Sequence, residues 1–291
     1  MRPWQADLCL LVLAIFWGAT FAVQKESLKY TGPLTLNVWR YTLAALVLGL
    51  VFLPRMRKIT RREILAGLFL GTFLGLGNIG QMIGLKTVSS GKAGFITGLY
   101  LVLVPFLSWA WLKQPLRFSN LFGTFLATVG LGLFSLNEHF GLSPGDLWVL
   151  LSAVMFAGHV VGVTALSEGR DVVRVTVVQL LMVGLIALLP ATYFETFTLR
   201  IPPPLWPYLA YMVLIPSALG FTVHLWAQPK TTPVRAGLIM GTEAIFAALV
   251  GWAWAGETLS PKEFFGGGLM FVGIIVVEVL DKRGRNRALT S

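Results

Sequence analysis

Residues 93–116 read AGFITGLYLVLVPFLSWAWLKQPL, and residues 236–259 read AGLIMGTEAIFAALVGWAWAGETL. Laid one on the other without a gap, they share the opening Ala-Gly, a GxxxG (Gly94/Gly98 and Gly237/Gly241), the Trp-Ala-Trp and the closing Leu. At the same offset Phe122-Gly123 falls on Phe265-Gly266, and Gly130 on Gly273. Two unrelated apolar helices often share glycines, but rarely in this order. The chain is therefore read as two related halves, residues 1–138 and 139–281, followed by a basic tail, 282–291.

Both halves are strongly apolar. Of 291 residues 56% are hydrophobic and 12% charged, with mean hydropathy +0.75. A water-soluble domain carries about twice that charged fraction. A helix needs roughly 20 apolar residues to cross the hydrocarbon core. Ten such stretches can be marked, near 7–25, 35–53, 63–85, 93–112, 119–137, 145–166, 173–193, 205–227, 234–255 and 263–280. The expected fold is an all-α integral membrane protein of ten transmembrane helices, arranged as two five-helix repeats. The first run starts at Leu8 after a single Arg and lacks a small-residue cleavage site, so it reads as a retained helix.

With the N-terminus in the cytoplasm, the inner loops hold Arg2; Arg55, Arg57, Lys58, Arg61 and Arg62; Lys113 and Arg117; Arg170 and Arg174; Lys230 and Arg235; and Lys282, Arg283, Arg285 and Arg287. The outer loops hold only Lys25, Lys29, Lys86, Lys92, Arg200 and Lys262, and Arg40 is left within a span. Sixteen against six follows the positive-inside bias and predicts a multi-pass plasma-membrane protein, in a bacterium the inner membrane, with both termini cytoplasmic. The same distribution explains the net charge of +10 without nucleic acid. Five spans per half is an odd number, so the second half enters the membrane inverted relative to the first. That arrangement is a hallmark of secondary transporters. The GxxxG pairs, and Gly67, Gly71 and Gly75, are read as surfaces for close helix packing.

The chain resembles the drug/metabolite transporter superfamily, specifically its ten-helix EamA-domain group, over about residues 7–280. The resemblance rests on Phe16-Trp17-Gly18-Ala19 with Phe21, Trp39-Arg40-Tyr41, Gly84-Leu85-Lys86 before Ala93-Gly94-Phe95, and Gly256-Glu257 closing the ninth span. It implies a monomer in the lipid bilayer, with a central cavity lined by spans one, three, four, six, eight and nine. It also implies export or exchange of amino acids and related small metabolites, as in the amino-acid exporter subgroup. The sequence departs from the family pattern at Lys113-Gln114, the counterpart of Gly256-Glu257, and at Phe156-Ala157, where Trp-Ala is commoner.

Polar groups in hydrocarbon are costly and tend to face a cavity or a partner. Here they form stripes at helical spacing: Trp17, Thr20 and Gln24; Asn78 and Gln81; Thr97 and Tyr100; Ser152, Phe156 and His159; Ser217 and His224; Met240, Glu243 and Ala247. These stripes lie on the six spans that the resemblance assigns to the cavity. The repeat pairs Trp17 with Phe156, Thr20 with His159, Gln81 with His224, and Tyr100 with Glu243. The expected substrate-binding set is Trp17, Thr20, Asn78, Gln81, Tyr100, Phe156, His159, His224 and Glu243. Glu243, near the middle of its span, is expected to take up a proton or to pair with a substrate ammonium. Arg40 and its repeat partner Gln179 lie outside those six spans and are assigned a gating or structural role, with Arg40 snorkelling to the outer face. Ser260, Pro261 and Glu263 read as a cap for the last helix, and Ser119 as a cap for the fifth.

Cys9 is the only cysteine, and no two of the membrane His and Glu stand at i,i+4, so no disulfide, metal or other cofactor is expected. An integral membrane enzyme would need paired catalytic groups near one leaflet; here they scatter singly. The alternative substrates are cationic drugs, vitamins or nucleosides, which an aromatic wall and an acidic group also suit.

Overall fold

The computed structural model describes residues 3–88, 90–135, 143–255 and 261–290, and among them every regular element is helical. The helices are α1 (Pro3–Ser27), α2 (Pro33–Val51), α3 (Arg61–Leu85), α4 (Ser90–Gly98 and Tyr100–Leu112), α5 (Phe118–Ser135), α6 (Pro144–Leu166) and α7 (Val172–Phe194). There follow α8 (Trp206–Met212, a π-helical stretch Val213–Leu219, then Gly220–Ala227), α9 (Pro233–Gly241 and Glu243–Ala255) and α10 (Pro261–Thr290). A single turn, Leu53–Met56, follows α2. Eight of these helices, α1 to α4 and α6 to α9, are long and apolar enough to cross a membrane. In α5 and α10 the apolar stretches are shorter, Phe118–Leu133 and Phe264–Val277. The expected end of the fifth span, at 137, lies outside the described residues, as do Gly256-Glu257 and Ser260.

Local signals set the helix starts. Thr60 and Glu63 form a reciprocal capping box before α3, and Ser143 and Asp146 form another before α6. Pro occupies the first helical position of α2, α6 and α9, where its missing N–H leaves no bond unmade. α5 begins at Phe118, so Ser119 lies in its first turn rather than before it. Lys113 ends α4 at φ 57°, a left-handed conformation that glycine adopts without steric cost.

The packing repeats itself. α5 lies on α10, and α2 on α7. α3 touches α6 and α7, as α8 touches α1 and α2; α4 touches α6, as α9 touches α1. Exchanging each helix for the one five places along maps this set onto itself. Glycines fix the sense of the symmetry. A Cβ on Gly123 would lie 2.7 Å from the Gly273 carbonyl oxygen, and one on Gly130 would lie 2.5 Å from that of Gly266. Gly123 is the repeat partner of Gly266, and Gly130 of Gly273, so the two contacts exchange under the symmetry. They also run in opposite order, so α5 and α10 are antiparallel. α2 and α7 are antiparallel too, with Thr42 against Gly184 and Gly49 facing Val177. Repeat-related helices that pack antiparallel belong to halves turned over with respect to each other.

Close approach replaces the hydrophobic effect as the cohesive device between helices, because lipid is as apolar as leucine. Large side chains such as Leu50, Leu189 and Phe264 are 69%, 77% and 68% exposed, a surface suited to lipid rather than water. We predict that Gly130→Ala lowers the thermal stability of the detergent-purified protein by about 1–3 kcal/mol, since the methyl group meets backbone. Gly268→Ala, whose Cβ would meet nothing within 4 Å, should change little. Coincident unfolding midpoints for the two variants would refute this account of the α5–α10 crossing.

Candidate functional site

The symmetry brings together two helix breaks. α4 is interrupted at Leu99 and α9 at Thr242, which are repeat partners. At each break the chain tightens, with Leu99 N–H bonded to the Ile96 carbonyl (3.2 Å) and Thr242 N–H to that of Ile239 (3.2 Å). The second segments open on Tyr100 and Glu243. Paired interruptions at corresponding places in two halves mark the substrate site in many transporters of this architecture.

A cavity lies beside these breaks, with about 590 Å³ of empty space including the part open to solvent. All nine residues singled out from sequence line it: Trp17, Thr20, Asn78, Gln81, Tyr100, Phe156, His159, His224 and Glu243. So do Phe21, Gln24, Arg40, Tyr41, Leu74, Val160, Phe221 and Met240. Two of these, Gln24 and Met240, belong to the polar stripes. Phe221 had a signal in the sequence, being the repeat partner of Asn78. Leu74 had none, because only packing turns it inward, and Tyr41 stands in the Trp39-Arg40-Tyr41 motif on a helix outside the expected cavity-lining set.

Most polar groups in the wall are already engaged. Thr20 Oγ1 donates to the Phe16 carbonyl (2.6 Å), and Tyr100 Oη to that of Gly237 (3.3 Å). Tyr41 Oη donates to Asn78 Oδ1 (2.5 Å), whose Nδ2 donates to the Leu74 carbonyl (2.9 Å). Trp17 Nε1 donates to the Pro216 carbonyl in the π stretch of α8 (3.0 Å). Gln81 Nε2 reaches Thr97 Oγ1 at 3.4 Å.

The two histidines are set by glutamines. His159 Nε2 lies 3.1 Å from Gln179 Oε1, and His224 Nε2 pairs with Gln228 Oε1. Gln228 Nε2 itself donates to the Val160 carbonyl (2.5 Å) and to Thr164 Oγ1 (2.9 Å), which turns its oxygen toward the imidazole. An amide oxygen can only accept, so His224, which faces the oriented Gln228, carries a proton on Nε2. The imidazole centroids stand 5.5 Å apart, and Trp17 meets His224 edge-on at 5.3 Å. Gln179, on a helix outside the expected cavity-lining set, thus orients a cavity residue.

Two ionisable groups in the wall, Glu243 and Arg40, lack a partner of opposite charge, and His224 Nδ1 is also buried without a hydrogen bond. Glu243 is buried, and no hydrogen bond or ion pair from another described residue reaches its carboxylate. Arg40 does not snorkel. It is 3% exposed, its Nε donates to Ser217 Oγ (2.7 Å), and its guanidinium carbon lies 4.7 Å from the Tyr41 ring centroid. The reason is the lean of α2 on the π stretch of α8, which offers Ser217 to the guanidinium.

Ion pairs flank the cavity. Lys92 Nζ meets Asp146 Oδ2 at 2.8 Å, joining α4 to α6, and Arg235 Nη2 meets Asp7 Oδ2 at 2.5 Å, joining α9 to α1. Asp7 is the repeat partner of Asp146, and Lys92 of Arg235, so the symmetry exchanges the two pairs. Each residue lies eight to ten positions before a cavity residue on its own helix, about 12–15 Å at the helical rise. Since the halves are inverted, the pairs sit toward opposite ends of the bundle. A third pair, Arg174 with Glu63 at 3.1 Å, ties α7 to the start of α3.

A family model described as the EamA-like transporter family matches the chain twice, over residues 4–136 and 143–279. A protein of Archaeoglobus fulgidus named as an uncharacterized transporter is 28% identical over 94% of this chain and 86% of its own length. An S-adenosylmethionine/S-adenosylhomocysteine transporter of Chlamydia trachomatis serovar L2 is 25% identical over 89% of this chain and 85% of its own. A solved crystal structure superposes with a TM-score of 0.78, covering 95% of this chain and 98% of that one at 17% identity.

Proposed function

Since the chain belongs to the EamA-like transporter family, we propose that it exports or exchanges amino acids and related small metabolites across the plasma membrane by alternating access. The observation that carries the substrate class is a guanidinium and a carboxyl in one cavity, each without a partner of opposite charge. Arg40 and Glu243 both line it, yet they do not form an ion pair with each other. A zwitterion supplies the missing partner to each. The aromatic wall of Trp17, Tyr100, Phe156 and Phe221 offers apolar contact for the rest of the solute.

In this reading the nine sequence-derived residues contact substrate, the ten spans cross the membrane with both termini in the cytoplasm, and one polypeptide is the working unit. The ion pairs Asp7–Arg235 and Lys92–Asp146 close the two ends of the pathway, and each opens in turn. A second reading has a specific support in the chlamydial relative: the solute is an amino acid joined to a nucleoside, whose base would lie against the aromatic wall.

The deciding experiment is counterflow. Proteoliposomes loaded with unlabelled solute are given a labelled panel of amino acids, together with S-adenosylmethionine. Saturable uptake, faster with solute trapped inside, is the expected result for one chemical class of the panel. Uptake equal to that of protein-free liposomes for every member, by folded protein, would overturn the amino-acid reading in favour of cationic drugs, vitamins or nucleosides.

A further inference from the structure

We infer that Arg40 is the residue that recognises the carboxylate of the transported solute. The inference deepens the reading of the cavity as a zwitterion site and rests on it. An arginine stays ionised in any protein environment, so burial cannot be relieved by loss of a proton. A buried cation is normally compensated by an acid. Here no Asp or Glu among the described residues forms an ion pair with Arg40, and its Nη1 is buried without a hydrogen-bond acceptor. Its Nε is bonded to Ser217 Oγ, and the Asn78 Oδ1 in the same cavity wall accepts from Tyr41 Oη.

What remains is an oriented fork at the wall of a cavity, with its Nη1 buried and unpartnered. Ser217 fixes one edge of the guanidinium and Tyr41 lies beneath its face, so the group is pre-set rather than searching. A carboxylate matches that geometry with two parallel hydrogen bonds, whereas an ammonium or a neutral amide does not. Glu243, on the broken helix α9 of the other repeat, places a carboxyl elsewhere in the same wall. Arg40 therefore makes the direct contact, and Ser217 is a positioning residue.

The test is a binding measurement on the full-length protein in detergent. Thermal stabilisation is titrated with a series of L-amino acids, their carboxamides, and simple monocarboxylates lacking the amino group. Wild-type protein is expected to bind at least one amino acid about ten- to a hundredfold more tightly than its carboxamide. Arg40→Met should bind acid and amide alike, Arg40→Lys should keep part of the preference, and Ser217→Ala should weaken it without abolishing it. Equal binding of acid and amide by wild-type protein, or no stabilisation by any carboxylate, overturns the assignment; so does an unchanged preference in Arg40→Met. If Arg40→Met does not fold, the wild-type comparison and Ser217→Ala still decide. The underlying reading fails separately: monocarboxylates binding through Arg40 while no amino acid binds would keep the anchor and reject the zwitterion.

Discussion

Glu243→Gln is expected to reduce counterflow by about ten- to a hundredfold while leaving the protein folded, the scale of a lost charge-assisted interaction. The substitution preserves volume and hydrogen-bonding capacity, so the packing of α9 against α1 has no reason to change. That packing is tight, for a Cβ on Gly18 would lie 2.5 Å from the Glu243 carbonyl oxygen. The backbone of Glu243 is thus fixed, and the variant alters only what its side chain presents to the cavity. If the carboxylate pairs with a substrate ammonium, Glu243→Gln loses affinity for amino acids but not for their deaminated analogues. If it carries a proton through the cycle, the transport that remains loses its pH dependence. Transport unaltered at every pH would remove Glu243 from the mechanism.

Joining Lys92→Cys to Asp146→Cys with a short, reversible bifunctional thiol reagent should abolish counterflow, and joining Asp7→Cys to Arg235→Cys should do the same. Cys9→Ser removes the one native thiol beforehand. The expected loss is about tenfold or more, because a cycle that needs both ends to open in turn cannot proceed with either one held. The two crosslinks should differ in a second readout. Each leaves the cavity reachable from one side only, so a membrane-impermeant thiol reagent should label a cavity cysteine, such as Thr20→Cys, from opposite faces in the two cases. Reduction should restore exchange. Transport that continues at the uncrosslinked rate with the bridge intact would show that the pair concerned is not a gate.

The sequence held more of this site than an apolar chain usually does, for a definite reason. Lipid makes every intramembrane polar group conspicuous, and the repeat lets one half check the other. Trp17 and Thr20 group by helical spacing, and Tyr100 matches Glu243 by offset, in the amino-acid sequence itself. Two things escaped that reading. Arg40 falls outside the sequence-derived set because α2 reaches the cavity through its lean on α8, which no one-dimensional pattern records. The ion pairs escape for a different cause: Lys92 and Arg235 read as loop charges, although Asp7 with Asp146 and Lys92 with Arg235 stand at the same offsets as the cavity residues. The length of α5 and α10 was the least legible feature, since the apolar runs there shade into charged ends.

The π-helical stretch Val213–Leu219 has no twin. Its counterpart in the first half, residues 70–76 of α3, is regular α-helix. The stretch carries both the Pro216 carbonyl that holds Trp17 and the Ser217 hydroxyl that holds Arg40. Turning the molecule over therefore does not return the same set of bonds, and the two end states of the proposed cycle differ in free energy. Such a carrier rests unequally between its faces. Its half-saturation concentration for one solute should then differ on the two sides of the membrane, while net flux still vanishes when the concentrations are equal. Asymmetric kinetics would follow from local helix geometry alone, with no coupled ion required.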